Sequence, residues 1–189
     1  MMRTQERHLI VITGAAGTGK TTVSHYLEQQ FGVTRVLTHT TRSPRQGETD
    51  GVDYYFETEA SFFKNHFIEH VTYGGHLYGS SEEGLERAFK KNRLVCLVLD
   101  TAGAQTYLQR FPELVTILYL TVNDPDQLKE RMVQRGDSVT ALQQRIHSDE
   151  YIRDLQVPTS LQRHVKIIVN DHWQATTAKL NQLMLQLDD

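Results

Sequence analysis

The sequence contains little of what would indicate an extracellular protein or one that coats nucleic acid. Its 189 residues include one cysteine, and 20 Lys and Arg residues nearly balance 23 Asp and Glu residues, for a formal net charge of -3. One cysteine excludes a disulfide framework within the chain, which favours a reducing compartment. The lack of excess positive charge disfavours broad binding to nucleic acid or to an anionic membrane. Basic side chains are therefore expected to act at particular sites.

Long apolar runs are also missing. Residues 1–8 are polar and lead directly into the apolar run 9–12, which is far shorter than a signal-peptide core or a membrane span. We therefore expect a cytoplasmic protein with no membrane partner and no nucleic-acid partner. The length predicts a single domain. The lone cysteine, Cys96, lies inside another apolar run and is expected to be a small buried side chain.

Short apolar runs predict a sheet of buried strands. They are separated by stretches with helical periodicity, and they lie at residues 9–12, 93–99, 115–121 and 165–169. This alternation is typical of an α/β fold with a parallel sheet.

Three helices are marked by their ends or by one apolar face. The first starts at Lys20 and is expected to end at Gly32, and another is expected to have Asp124 as its N-cap, before Pro125. The C-terminal helix is expected to bury a face made of Trp173, Thr177, Leu180, Met184 and Leu187.

A glycine-rich segment follows the first predicted strand. Its sequence is Gly14-Ala15-Ala16-Gly17-Thr18-Gly19-Lys20-Thr21, which has the P-loop spacing G-x-x-x-x-G-K-[ST]. Glycines allow backbone N–H groups to turn toward phosphate oxygens, and the next helix adds its free N-terminal donors. Lys20 can reach the β- and γ-phosphates, and the Thr21 hydroxyl can bind Mg²⁺. The segment predicts a site for ATP or GTP.

Two polar regions interrupt the α/β pattern. Residues 34–80 alternate polar and apolar side chains and predict a small antiparallel insert. Within the insert, Arg42 and Arg45 flank Pro44, and two guanidinium groups at this spacing can bind phosphate oxygens. A solvated basic patch is the alternative. Residues 135–160 are charged and poor in large apolar side chains, which predicts a mobile cover.

The P-loop and a second motif together resemble guanylate kinases over nearly the whole chain. The second motif is T-T-R-x-P-R-x-G-E-x-x-G-x-D-Y-x-F, followed by F-I-E and G-x-x-Y-G-S. The resemblance implies one domain, 1–189, with a P-loop three-layer α/β fold and a central parallel sheet of about five strands. It divides the chain into a core (1–36, 81–134 and 156–189), a small mixed or antiparallel GMP-binding insert (about 37–80) and a helical lid (about 135–155).

The resemblance also implies the site residues. Those for ATP are the P-loop residues Gly14, Ala15, Ala16, Gly17, Thr18, Gly19, Lys20 and Thr21, with Thr22, Arg131 and Asn170. Those for the GMP phosphate are Arg42, Arg45, Tyr54 and Tyr78, and those for its base are Thr38, Glu69, Ser80 and Asp100. The catalytic set is Lys20, Arg42, Arg135 and Arg145, and Thr21 is the metal ligand for Mg²⁺.

The chemistry of guanine agrees with this assignment. Its N1–H and 2-amino groups are donors, so a carboxylate such as Glu69 is complementary to them. Other roles remain open at several positions. Ser80 could cap a helix with Glu83, and Tyr54 and Tyr78 could be ordinary sheet residues. Glu69 could be a solvated edge charge, and the lid arginines could stabilise a helix end.

One position departs from the family pattern. Guanylate kinases usually carry two aspartates, one residue apart, at the end of the third strand, whereas this chain has Val98 and Asp100. The sequence nevertheless predicts phosphoryl transfer from MgATP to GMP, and to dGMP, by a monomer or a homodimer. Alternatives are a kinase of the same fold with another phosphorylated acceptor, and a non-catalytic interaction module.

Overall fold

The structure is a computed structural model, and it describes residues 6–188. The strands, in chain order, are β1 (His8–Thr13), β2 (Thr34–Arg35), β3 (His39–Thr40), β4 (Tyr55–Phe56), β5 (Phe67–Tyr73), β6 (His76–Ser81), β7 (Leu94–Val98), β8 (Val115–Thr121) and β9 (Val165–Val169). The helices are α1 (Lys20–Phe31), α2 (Glu59–Phe62), α3 (Glu82–Lys91), α4 (Thr101–Arg110), α5 (Asp126–Gln134), α6 (Val139–Ile146), α7 (Asp149–Asp154) and α8 (Trp173–Asp188).

Five strands form the central sheet in the order β2-β7-β1-β8-β9, and every neighbouring pair is parallel. The predicted α/β fold with a parallel sheet is therefore confirmed. Strands β1 and β8 lie inside the sheet and are apolar on both faces because helices cover both sides. The short strand β2 was not predicted, because its two half-buried residues do not form an apolar run.

Alternate residues of β1 belong to two different cores. Leu9 and Val11 pack on one face of the sheet, and Ile10 and Ile12 pack on the other, all with no exposed surface. The parallel arrangement brings the carboxyl ends of the strands to one edge, where the loop after β1 lies. That edge is the usual position of ligand sites in α/β sheets.

The insert forms a second sheet in the order β4-β3-β6-β5. Strand β6 pairs antiparallel with both β3 and β5, whereas β3 and β4 are parallel. The sheet is therefore mixed rather than purely antiparallel. Between residues 52 and 56, only Tyr55–Phe56 forms a strand.

A third apolar cluster connects the lid to the phosphate loop. Leu142 of α6 and Tyr151 of α7 are buried against Met132 of α5 and against Ala15 and Ala16. The lid was expected to be a largely polar cover, but these contacts give it a small core of its own. Among residues 6–188, no helix is both long enough and apolar enough to cross a membrane.

Two helix predictions need correction. Helix α5 has Pro125 as its N-cap, one residue after the predicted cap, although Asp124 Oδ1 still accepts the N–H of Asp126 (3.0 Å). In α8 the expected face is confirmed at Leu180 and Met184, but its first turn is rotated: Thr176 is fully buried whereas Trp173 is 40 % exposed. The cause is a polar contact, because the Thr176 hydroxyl donates to Asn170 Oδ1 (2.8 Å) at the end of β9.

This contact gives a stability prediction with a matched control. Thr176→Ala leaves the buried amide oxygen of Asn170 without its donor, which should lower the free energy of unfolding by about 1–3 kcal/mol. Thr177→Ala removes a hydroxyl that bonds only an exposed backbone carbonyl and should change it by less than about 0.5 kcal/mol. Urea unfolding of both variants measures these changes. Equal losses of unfolding free energy would contradict the burial of Thr176 in α8.

Candidate active site

A cavity of about 670 Å³ lies between the phosphate loop, the insert and the lid. Most of the predicted site residues form its wall, and they are Ala16, Gly17, Gly19, Lys20, Thr21, Thr22, Thr38, Arg42, Arg45, Tyr54, Glu69, Tyr78, Asp100, Arg131, Arg135, Arg145 and Asn170. The predicted residues outside this wall are Gly14, Ala15, Thr18 and Ser80. The fold thus brings residues from three separate segments to one concave surface.

The phosphate loop has a conformation that requires glycine. Gly14 and Gly19 have φ angles of 127° and 94°, in the region that residues with a Cβ rarely adopt. A Cβ on Gly14 would also come within 2.2 Å of the Leu120 carbonyl oxygen in β8. The loop is therefore packed directly on the neighbouring strand.

Lys20 is folded back onto this loop. Its Nζ donates to the carbonyl oxygens of Gly14 (2.6 Å) and Ala15 (2.9 Å). Burial lowers the pKa of Lys20 to about 8, although the carboxylate of Asp154 acts in the opposite direction. A phosphate anion beside the ammonium would favour its charged form. The geometry suits a lysine that gains an anionic partner when a nucleotide binds.

Asn170 organises one end of the cavity. Its side-chain Nδ2 donates to the Thr18 backbone carbonyl (2.9 Å), and its backbone carbonyl accepts from Arg131 Nη2 (2.9 Å). Trp173, the only tryptophan of the chain, also lines this end and packs edge-on against Tyr26 at 5.4 Å. Sequence reasoning placed Trp173 on the buried helix face, and its position at the cavity was missed.

Glu48 organises the two arginines of the insert. Its carboxylate accepts from Arg42 Nη1 (2.9 Å) and Nη2 (3.0 Å), and from the backbone N–H of Arg45 (2.7 Å). The Arg42 guanidinium also lies 5.5 Å from the centre of the Tyr54 ring. Glu48 was not predicted as a site residue, although its place in the R-x-G-E stretch beside both arginines was the available signal.

The far end of the insert carries a buried chain of hydroxyl and carboxyl groups. Tyr107 donates to Ser80 Oγ (2.9 Å), and Ser80 Oγ donates to Glu69 Oε1 (2.7 Å). The alternative that Ser80 caps the next helix is wrong, because Ser81 accepts the Gly84 N–H (3.1 Å) instead. The alternative that Glu69 is a solvated edge charge is also wrong, because Glu69 is 7 % exposed.

Burial changes the proton affinity of Glu69. It raises the pKa of Glu69 to about 7, the hydrogen bond from Ser80 lowers that pKa, and the nearby charge of Asp100 raises it further. The group is therefore poised between its neutral and ionised forms near neutral pH. A ligand that donates hydrogen bonds to the carboxylate would favour the ionised form.

The lid reaches the cavity through two arginines. The Arg145 guanidinium lies 5.5 Å from the centre of the Tyr73 ring. Arg135 pairs with Asp137, whose carboxylate also lies 3.5 Å from Arg45 of the insert. Although burial opposes it, the hydrogen bond from Arg135 and the charges around it lower the pKa of Asp137. Asp137, another residue missed from sequence, thus joins the lid to the insert.

Further polar contacts hold the end of the lid against the start of α4, which follows β7. Arg153 Nη2 donates to Asp100 Oδ2 (2.5 Å), and Thr101 donates to Asp154 Oδ1 through its hydroxyl (2.5 Å). Asp154 is 1 % exposed and lines the cavity. Burial raises the pKa of Asp154 above its usual value. Sequence reasoning missed this residue because it lies in the segment interpreted only as a cover.

Comparison with known proteins identifies the family. The family model for guanylate kinase matches residues 6–187. The chain belongs to the guanylate kinase family.

Individual guanylate kinases resemble the chain over most of its length. A guanylate kinase of Thermus thermophilus is 36 % identical over 155 residues, which cover 79 % of this chain and 69 % of that protein. The guanylate kinase of Protochlamydia amoebophila is 34 % identical over 183 residues, covering 94 % and 89 %. The crystal structure of guanylate kinase from Anaplasma phagocytophilum shares the fold, with a TM-score of 0.67 at 21 % identity over 97 % of this chain and 87 % of that one.

The residues present fit a hydrated magnesium ion. The cavity wall includes the hydroxyl residue Thr21 and the carboxylate residues Asp100 and Asp154, and Mg²⁺ prefers oxygen ligands. Within residues 6–188, no three His, Cys, Asp or Glu side chains are grouped so that they could hold a metal by themselves. The ion would therefore be held mainly by nucleotide phosphates and water, as Mg²⁺ commonly is in kinases.

The titration of Glu69 gives a prediction for stability. The folded chain keeps the Glu69 proton up to a pH of about 7, against 4.5 for the ordinary group. The folded state therefore binds more protons in this window, and the free energy of unfolding falls as pH rises through it. Relative to Glu69→Gln, the wild type should lose on the order of 2 kcal/mol between about pH 5 and about pH 8.

Urea unfolding of both proteins at the two pH values measures this difference. Other titrating groups cancel when the two proteins are compared. A difference that stays constant with pH would show that Glu69 keeps its ordinary pKa in the folded chain.

Proposed function

We propose that the cavity aligns ATP and GMP for transfer of the γ-phosphoryl group, giving ADP and GDP, with dGMP as a second acceptor. Family membership supports the ATP-dependent phosphorylation of GMP. The assignment of residues rests on which side chains lie at the two ends of the cavity. A P-loop forms one end, and a pair of arginines beside a buried carboxylate forms the other.

The acceptor end is complementary to GMP. Arg42 and Arg45 both line the cavity where a monophosphate would bind, and Glu48 accepts from the Arg42 guanidinium and from the Arg45 backbone N–H. Glu69, with Ser80 behind it, offers carboxylate oxygens to the N1–H and 2-amino donors of guanine. Adenine has neither donor, so it would leave the buried Glu69 unpaired, and such mismatches strongly reduce kcat/KM.

The transfer step needs alignment and charge neutralisation rather than a general base, because the acceptor is itself a phosphate oxyanion. Lys20 approaches from the phosphate loop, Arg42 from the insert, and Arg135 and Arg145 from the lid. All four line the cavity. Mg²⁺, when bound with the nucleotide, would supply further positive charge beside the phosphates. The lid helices exclude water, which would otherwise accept the phosphoryl group.

A coupled ADP-release assay with MgATP tests the function. GMP and dGMP should be turned over, whereas AMP, UMP and ribose phosphates should react more slowly by orders of magnitude. Equal rates with AMP would remove the assigned role of Glu69. An absence of both turnover and binding with GMP would exclude the kinase function.

Replacing the P-loop lysine should impair phosphoryl transfer but leave GMP binding intact. Lys20→Ala removes the ammonium that meets the transferring phosphoryl group and should reduce kcat by roughly 100-fold or more. GMP affinity, measured by calorimetry, should remain, because Glu48, Arg42 and Glu69 are unchanged. Lys90→Ala, an exposed lysine of α3, is the matched control and should behave as wild type. Loss of GMP binding in Lys20→Ala would mean that the two ends are wrongly assigned.

A further inference from the structure

Asp154 lines the cavity, and its carboxylate has one oxygen with hydrogen-bond partners and one buried oxygen without any. Its Oδ1 accepts from the Thr101 N–H (3.2 Å), the Thr101 hydroxyl (2.5 Å) and Arg153 Nε (3.1 Å). Its Oδ2 is buried and has no hydrogen-bond partner within residues 6–188. A buried carboxylate oxygen without a partner is costly. Because buried polar atoms normally have hydrogen-bond partners, we infer that a bound ligand supplies the missing donor.

The backbone holds this carboxylate in place. The Tyr119 hydroxyl of β8 donates to the Asp154 carbonyl (2.8 Å), so the end of α7 is fixed to the central sheet. Three donors also hold Oδ1, which leaves little freedom for the side chain to rotate. The free oxygen is therefore positioned by the fold rather than by chance packing of a loop.

The neighbours of Asp154 indicate what the missing donor is. Asp154 lines the same cavity as Lys20 and Thr21 of the phosphate loop, and as Asp100 and Val98 at the end of β7. Val98 contributes no oxygen, although the strand end is where a carboxylate could face the phosphates. The cavity therefore receives its second carboxylate at this end from the lid.

We propose that Asp154 is a positioning residue for the hydrated Mg²⁺ of the donor nucleotide, with Oδ2 accepting a hydrogen bond from a metal-bound water. Mg²⁺ gives up its waters reluctantly, so a carboxylate commonly holds it through water. Asp154 thereby supplies the carboxylate that Val98 does not provide at this end of the cavity. Because α7 belongs to the lid, this contact also links the lid to the metal. The proposal rests on the proposed function, since it requires ATP at the phosphate loop.

Asp154→Asn isolates the free oxygen. The amide oxygen can keep the hydrogen bonds from Thr101, while an NH₂ group, which cannot accept from a water, replaces Oδ2. Calorimetry with a non-hydrolysable ATP analogue gives the affinity with Mg²⁺ and with EDTA. The wild type should bind more tightly with Mg²⁺, and the variant should lose about 10-fold or more of that gain. Its affinity in EDTA should not fall below that of the wild type, because the change removes a negative charge beside Lys20.

Two controls separate metal positioning from a structural role. Asp149→Asn makes the same change at an exposed position of α7 and should keep the full Mg²⁺ gain. Val98→Asp added to Asp154→Asn should restore the gain, because it returns a carboxylate to the same end of the cavity. If Asp154→Asn does not fold, Asp154→Ser, which keeps an acceptor for Thr101, replaces it.

Three results would overturn the proposal. An unchanged Mg²⁺ gain in a folded Asp154→Asn variant would show that Oδ2 does not meet the metal. A loss of GMP affinity with an unchanged Mg²⁺ gain would place Oδ2 at the acceptor base instead. If the double variant folds but does not regain the tighter nucleotide binding with Mg²⁺, Asp154 does not take the place of a carboxylate missing at Val98. Failure of the proposed function is distinguishable, because wild-type ADP release with GMP is measured separately.

Discussion

Gly14 lies so close to the Leu120 carbonyl that a Cβ would approach it to 2.2 Å, and the rest of the site depends on this contact. It holds the phosphate loop on the end of β8, where the carboxyl ends of β1 and β7 also lie. Helix α1 then starts directly at the loop, with Lys20 as its first residue. Any residue larger than glycine would displace the loop from the strand and carry Lys20 and Thr21 with it. The rigid part of the cavity is therefore built by backbone packing.

Charge balance is the second constraint on the cavity. Several positive side chains line it, and three of them have internal acceptors. Lys20 bonds loop carbonyls, Arg42 pairs with Glu48, and Arg135 pairs with Asp137. These contacts reduce repulsion between like charges and keep the donors oriented before a nucleotide arrives. Binding of phosphates would exchange some of these partners, so part of the binding energy is offset by the contacts that are lost.

The lid combines apolar and ionic attachment. Leu142 and Tyr151 pack in the small cluster around Met132, which gives the lid a small apolar core. Its polar contacts reach in two directions, through Asp137 to the insert and through Arg153 and Asp154 to the central sheet. These polar contacts lie at different parts of the cavity. The buried free oxygen of Asp154 lies at the contact with the central sheet.

Sequence by itself determined the parts of this protein whose chemistry is local. The glycines and Lys20 of the P-loop, the Arg42–Arg45 pair and the apolar strands are each defined by neighbouring residues, so their pattern was readable. Tertiary structure decided the parts whose partners are distant in the chain. Asp154 meets Thr101, Ser80 meets Tyr107, and Thr176 turns inward to meet Asn170. No periodicity encodes such contacts, because whether a polar group is buried depends on which strand ends the fold brings together.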